Sequence, residues 1–350
     1  MASVDDIAKV HGIRTSLAHR RNAITVGLSI ALVLTFALTL YLGDYPVPVD
    51  GVIRSLLSPF TGEINKGIDF IVLNVRLPRA TLAVLTGIAF ALSGIIFQTL
   101  LRNPLASPDI IGISHGASAS AVACIILLGL SGFAVSFGAL VGALLTAFAI
   151  YALAWRNGVT AYRIVLIGIG MSAMMAAAIS YLFTRARLTE VQQALGWLVG
   201  SLNASNWGDV WPLALALFVL LPSTILLVRT LDAMQMGDDT ATALGACVEV
   251  TRLALMMIGV GYAAFATAAA GPVTFVAFVS GPIARNLLAG SGRGFVLAAL
   301  VGALVMLGSD LVAQHALPSV QLPVGVVTGV FGAGFLLWLL VVSNRAGRVN

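Results

Sequence analysis

Apolar runs about as long as a bilayer is thick recur along this chain, and charge is nearly absent from them. Residues 23–43 read AITVGLSIALVLTFALTLYLG, and residues 80–101 read ATLAVLTGIAFALSGIIFQTLL. Roughly 20 apolar residues in a helix cross a hydrocarbon core of about 30 Å. Strands of a membrane barrel would instead alternate over about 10 residues, a pattern the chain lacks. Of its 350 residues 59% are hydrophobic and only 9% charged, where a soluble domain carries about 25% charge. Mean hydropathy is +1.02. There is too little polar surface to cover a water-soluble core, and the fold class reads as an all-α integral membrane protein.

The apolar periodicity places helices near 23–43, 80–101, 114–130, 133–155, 164–184, 208–228, 253–270, 272–290, 294–315 and 324–342, ten in all. This gives a polar N-terminal segment 1–22, a single helical domain over 23–342 with a polar loop at 230–251, and a tail at 343–350. The first run is longer than a signal-peptide core and has no clear small-x-small cleavage site, so it reads as a retained helix. Basic residues in loops set orientation. With the N-terminus inside, Lys9, Arg14, Arg20, Arg21, Arg102, Arg156, Arg163, Arg229, Arg252, Arg285, Arg293, Arg345 and Arg348 fall inside, and Arg54, Lys66, Arg76, Arg79, Arg185 and Arg187 outside, 13 against 6. Both termini are expected in the cytoplasm. The net charge of +5 is accounted for by loops facing anionic lipid, and no nucleic-acid partner is expected.

Several chemistries are excluded. The two lysines precede Val10 and Gly67, so no Walker A lysine followed by Ser or Thr exists. His11, His19, His115 and His315 form no paired ligand spacing, and a metal or redox centre is not expected. Cys124 and Cys247 lie in unlike surroundings and suggest no disulfide. Ionisable residues inside the apolar runs are few: Asp310 is the clear case, expected to hydrogen-bond within the bundle near its external end. An ion-coupled carrier would place such groups at mid-depth, which makes it the weaker alternative.

Four stretches carry further information: RLPRATLAVLTGIAFALSG at 76–94, NPLASPDIIGISHGA at 103–117, MGDDTATALG at 236–245 and QLPVGVVTGVFGAGFLLWLL at 321–340. In the second, Pro104 and Pro108 prevent a continuous helix, and Asn103 and Ser107, each before a proline, favour extended or turn geometry. Ser114 is placed to cap the next helix; Gly112 and Gly116 permit close approach. The chain therefore turns back here. In the third, Asp238 or Asp239 is placed to cap a short helix whose N-terminus favours acids. Ala241, Leu244 and Val248 share one apolar face, and Gly245 is placed to end or bend the helix. Such a helix suits a groove on a partner.

Together, in this order, the four stretches resemble the FecCD-type permeases of bacterial ABC importers, which take up iron–siderophore complexes, haem and vitamin B12. The resemblance implies the type II ABC importer permease fold, a ten-helix subunit, two of which form a pore. It also implies two cytoplasmic ATPases, which bind ATP and magnesium so that this chain needs no cofactor, and an extracytoplasmic binding protein. It assigns Arg76 and Arg79 to docking of that protein, and the loop at 236–249 (Gly237, Asp238, Asp239, Ala241, Leu244, Gly245 and Val248) to coupling with the ATPase. Asn103, Pro104, Pro108 and Gly112 fall to a cytoplasmic loop or gate. The chain departs from the family at Gln314 and His315, where many members carry an external arginine, and at SGPIAR, 280–285, in place of a Pro-His-Ile-Ala-Arg run. Both departures favour a heterodimer with a paralogous permease over a homodimer. The expectation is a bacterial inner-membrane, non-enzymatic permease for ferric siderophores, with vitamin B12 or haem as the alternative cargo.

Overall fold

The computed structural model describes residues 4–43, 45–62, 65–156, 160–288, 294–317 and 320–346; Arg293, Arg348 and the last part of the tail lie outside them. The described chain is helical almost throughout. In order the helices are α1 (Val4–Tyr41), α2 (Val49–Thr61), α3 (Lys66–Asp69), α4 (Leu77–Leu100), α5 (Pro108–Ile111), α6 (Ile113–Leu128), α7 (Phe133–Ala154) and α8 (Ala161–Arg185). They continue as α9 (Leu188–Leu198), α10 (Trp207–Gln235), α11 (Asp238–Ala243), α12 (Val248–Ala270), α13 (Val276–Leu288), α14 (Phe295–His315) and α15 (Val324–Ala346). A π-helical stretch, Phe70–Arg76, joins α3 to α4.

Among the described residues, seven helices are long and apolar enough to cross a membrane, and Ile113–Leu128, Val276–Leu288 and Val324–Trp338 are shorter apolar helices. These correspond to the ten apolar runs. α1 begins well before residue 23, because the basic segment continues the same helix. α10 runs on to Gln235 through Pro212 and Pro222, residues that membrane helices tolerate where neighbours satisfy the freed backbone groups. The run at 272–290 begins late. Gly271 to Phe275 is non-helical, and α13 has only 13 residues, about 20 Å.

The core is built around α4. Most of its 24 residues are buried, packed against α10, α12, α13 and α14. Small residues make this possible where no hydrophobic effect drives helices together. A side chain on Gly87 would strike the Gly302 carbonyl of α14, and one on Gly302 would strike Gly87 in return. Phe90 and Phe97 fill the remaining space with Leu82, Ile96, Leu255 and Tyr262, all buried. The Ser93 hydroxyl donates to Gly259 O at 2.7 Å. A second cluster joins α6, α7, α8 and α9 to the other side of α12 through Ala117, Ala121, Ala143, Ile164, Ala194 and Ala263.

Three non-helical stretches meet where α13 and α15 begin. Ser201 N donates to Ala270 O at 2.9 Å and Gly325 N to Gly200 O at 3.2 Å. Irregular backbone at membrane depth survives only when buried in protein or lining a cavity, and here its groups satisfy one another. Phe275 holds φ +69, an uncommon conformation for a bulky residue.

Candidate functional site at the two ends of α4

The RLPR stretch sits at the start of α4. Arg76 is buried, 9% exposed. Its guanidinium donates to Leu40 O at 2.7 Å, Tyr41 O at 2.9 Å and Tyr45 O at 2.5 Å. A cation on the last carbonyls of α1 completes that helix end, and Gly43 leaves the space, since a side chain there would strike Arg76. The π-helical turn exposes Leu73 O, which accepts from Trp207 Nε1 at 2.9 Å.

One turn on, Arg79 meets Asp310 of α14. Nε lies 3.0 Å from Oδ2 and Nη2 2.9 Å from Oδ1, with side-chain exposures of 12% and 1%. Nη1 donates to Gln321 Oε1 at 3.0 Å, and Gln314 Nε2 to Asp310 Oδ2 at 2.8 Å. Asp310 thus hydrogen-bonds within the bundle, and its partner is one of the two arginines assigned to docking. Both arginines already hold partners inside the chain. Among the described residues, the exposed cations at this end include Arg54 and Lys66, on α2 and α3, with Arg185 and Arg187 flanking the turn from α8 to α9.

At the other end of α4 the helix closes with Asn103 N donating to Gln98 O at 3.1 Å. Arg102 takes the left-handed position, φ +49, where glycine is usual. Asn103 Oδ1 accepts from Leu105 N at 2.9 Å. Ser107 caps α5, accepting from Ile110 N at 3.4 Å, with Pro108 in the first turn and Gly112 ending it at φ +95. Gly112 lies against Gly168 and Ser172 of α8. Ser114 is not the cap of α6. That position belongs to Gly112, and the Ser114 hydroxyl donates to Asp109 instead. Burial pushes the Asp109 carboxyl above its ordinary range, opposed by that hydrogen bond and by His115.

α11 departs from its expected form. It ends at Ala243, and Gly245, φ +86, turns the chain so that Val248 begins α12. The shared apolar face is thereby split. Ala241 and Val248 turn inward onto Met234 and Leu100, whereas Leu244 is 66% exposed. Neither acid caps the helix: Gly237 holds the cap position, φ +118, and no side-chain hydrogen bond forms there. Asp239 is exposed. Asp238 accepts from Arg102 Nη2 at 3.1 Å and from Arg252 Nη2 at 2.6 Å. Arg102 also donates to Met234 O at 2.7 Å, and Arg252 to Glu249 at 2.9 Å.

Beside this cluster lies a cavity of about 740 Å³ between the ends of α4, α10 and α13, lined by polar and apolar side chains alike, with Asn103 and Pro104 in its wall. Arg285 donates to Gln98 Oε1 at 2.7 Å, and Gln98 Nε2 to Phe278 O at 3.1 Å.

Two polar clusters thus stand at opposite ends of a helical bundle whose interior is apolar or uncharged. The FecCD transport family matches over residues 31–342. The chain belongs to the FecCD transport family. It is 41% identical over 290 residues to the ferric enterobactin transport system permease protein FepG of Escherichia coli (strain K12), covering 83% of this chain and 88% of that one. It is 37% identical to the achromobactin transport system permease protein CbrC of Dickeya dadantii (strain 3937), covering 91% and 93%. A cobalamin import system permease protein, BtuC of Halobacterium salinarum, is 33% identical, covering 91% and 85%. A solved structure described as an inward-facing conformation of a metal-chelate type ABC transporter superposes with a TM-score of 0.77 at 26% identity, covering 91% of this chain and 99% of the other. The fold is that of an ABC importer permease.

In this chain Arg79 and Asp310 join α4 to α14 in near-complete burial. Removing one member of such a pair strands the other and costs about 3–5 kcal/mol, whereas removing both costs much less. Arg79→Gln and Asp310→Asn should each lower the thermal unfolding midpoint of the purified protein markedly. The double variant should recover part of the loss; strictly additive effects would mean that the two are not coupled.

Proposed function

We propose that this chain is a membrane-spanning pore subunit of an ATP-binding-cassette importer for ferric siderophores, working by alternating access. The observation that carries the cargo is the group of iron–siderophore permeases among its relatives, at 41% and 37% identity. The cobalamin relative at 33% identity supports vitamin B12 as the second reading. The subunit performs no covalent chemistry. ATP and magnesium are held by two ATPase subunits, and cargo arrives on an extracytoplasmic binding protein.

In this reading both termini are cytoplasmic, the Arg79 end of α4 faces outward and the Asp238 end faces the ATPases. α11 is the ATPase contact, with exposed Leu244 as its apolar knob and Met236 beside it, 66% and 64% exposed. The binding protein docks over the outer ends of α2, α3 and α4. Arg76 and Arg79 frame that surface, and Arg54, Lys66, Arg185 and Arg187 carry its outward charge. A charge reversal at Arg79 therefore disturbs the bundle before it reports on docking. A paralogous permease completes the pore. Gln314 supports that pairing, because its amide is bound to Asp310 within this chain and presents no external cation.

The cargo is tested by labelled uptake in a deletion strain. Uptake of a ferric siderophore should be lost and restored by this gene, with haem and vitamin B12 uptake unchanged. Loss of vitamin B12 uptake alone would move the cargo to the second reading. For docking, Arg54→Glu combined with Lys66→Glu should weaken binding-protein affinity, more at low salt than at high; equal affinity at all salt concentrations would remove these residues from the interface. For coupling, Leu244→Asp should leave the subunit inserted while transport collapses. Normal uptake would rule out α11 as the ATPase contact.

A further inference from the structure

We infer that Arg102 and Arg252 are positioning residues that clasp Asp238, so that α11 moves as one body with α4 and α12. This rests on the reading of α11 as the ATPase contact. The helix has 6 residues, too few to be stable alone. Glycines with positive φ stand at both joints, Gly237 at +118 and Gly245 at +86. Its apolar anchorage is slight, since Ala241 is its one buried residue. A push delivered at Leu244 would be absorbed by rotation at the two glycines unless something else held the helix.

Asp238 supplies that hold at the first turn. Each carboxylate oxygen takes one arginine, Oδ1 from Arg102 just beyond α4 and Oδ2 from Arg252 in α12. Arg102 also grips the end of α10 through Met234 O, so one side chain bridges α4, α10 and α11. Its backbone supports the assignment. Arg102 sits in the left-handed closing position of α4, which favours glycine, and a strained residue persists where its surroundings over-determine it. Asp238 is 47% exposed, Arg102 55% and Arg252 18%, and pairs whose carboxylate lies this open to water add little to stability. The role of the clasp is therefore direction of movement and not fold stability.

This separation makes the idea testable. Arg102→Gly removes both bonds yet gives the backbone its preferred residue, so the variant should fold and assemble. The complete transporter, with its ATPases and binding protein, is placed in proteoliposomes with labelled ferric enterobactin as probe, in a preparation where the wild type transports it. Uptake per ATP hydrolysed is the readout, because a merely structural defect lowers the amount of active complex and leaves this ratio alone. In Arg102→Gly and in Asp238→Asn the ratio should fall at least about fivefold, the lower end of ordinary coupling between sites. Arg252→Lys should retain more than Arg252→Gln. An unchanged ratio in Arg102→Gly combined with Arg252→Gln would overturn the clasp. Leu244→Asp, run beside them, separates the two ideas. If it uncouples while the clasp variants do not, only the clasp fails. If it too keeps the wild-type ratio, the reading of α11 fails with it.

Discussion

Everything in this fold depends on α4 being enclosed by protein along its length. In hydrocarbon every backbone group must find its partner internally, which makes the chain helical but does not bring helices together. Close approach does that, and here it comes from small residues: Gly87 against Gly302, and Gly94 against the backbone of Ala277. A helix gripped on every side has no independent freedom to bend, since packed interiors are dense and transmit strain. Arg79 and Arg102 are 23 positions apart (102 − 79), about 35 Å along a helix. α4 is thus a stiff rod with a paired cation at each end.

The two pairs differ in the way their positions demand. At the Arg79 end the carboxylate of Asp310 is 1% exposed. Opening that pair would leave charge where water cannot reach it, so it resists separation throughout any cycle. At the other end Asp238 is 47% exposed. Its bonds add little to stability, because water can take the place of a lost partner. The first junction fixes α4 to α14, and the second ties α11 to α4 and α12.

The sequence made the architecture legible because apolar length is a direct consequence of the bilayer. All ten apolar runs correspond to helices, and the turn at NPLASPDIIG lies where its prolines require it. Short helices were not legible. α2 carries Asp50, Arg54 and Pro59 within 13 residues. α9 opens without a Ser, Thr, Asp or Asn cap, using Glu190 on the backbone of Arg187. The α11 face reads as continuous in the sequence because periodicity alone does not show that Gly245 redirects the chain. The partners of Arg79 and Asp238 were hidden for a different reason. Asp310 is 231 positions from Arg79 and Asp238 is 136 from Arg102, and nothing local announces a contact made by packing. One signal was available: an arginine at the end of an apolar helix, immediately before Asn-Pro, stands where glycine closes most helices.

Under the proposed pairing with a paralogue, the neutral side chain of Gln314 bears on assembly. Asp310 has one cation, Arg79, and Gln314 supplies a neutral donor to the same carboxylate. The local charge sums to zero. A second arginine at 314 would compete with Arg79 for Asp310 or turn away toward solvent, and only then would this part of the surface present a free cation to an acidic partner. With glutamine the surface here is closed and neutral, and two identical copies would offer a docking protein no cation at this position on either side. A pore formed with a paralogue that retains a cation there would present unlike halves. Such a pore would fix the orientation in which an asymmetric binding protein lands, which charge placement controls more readily than contact area does.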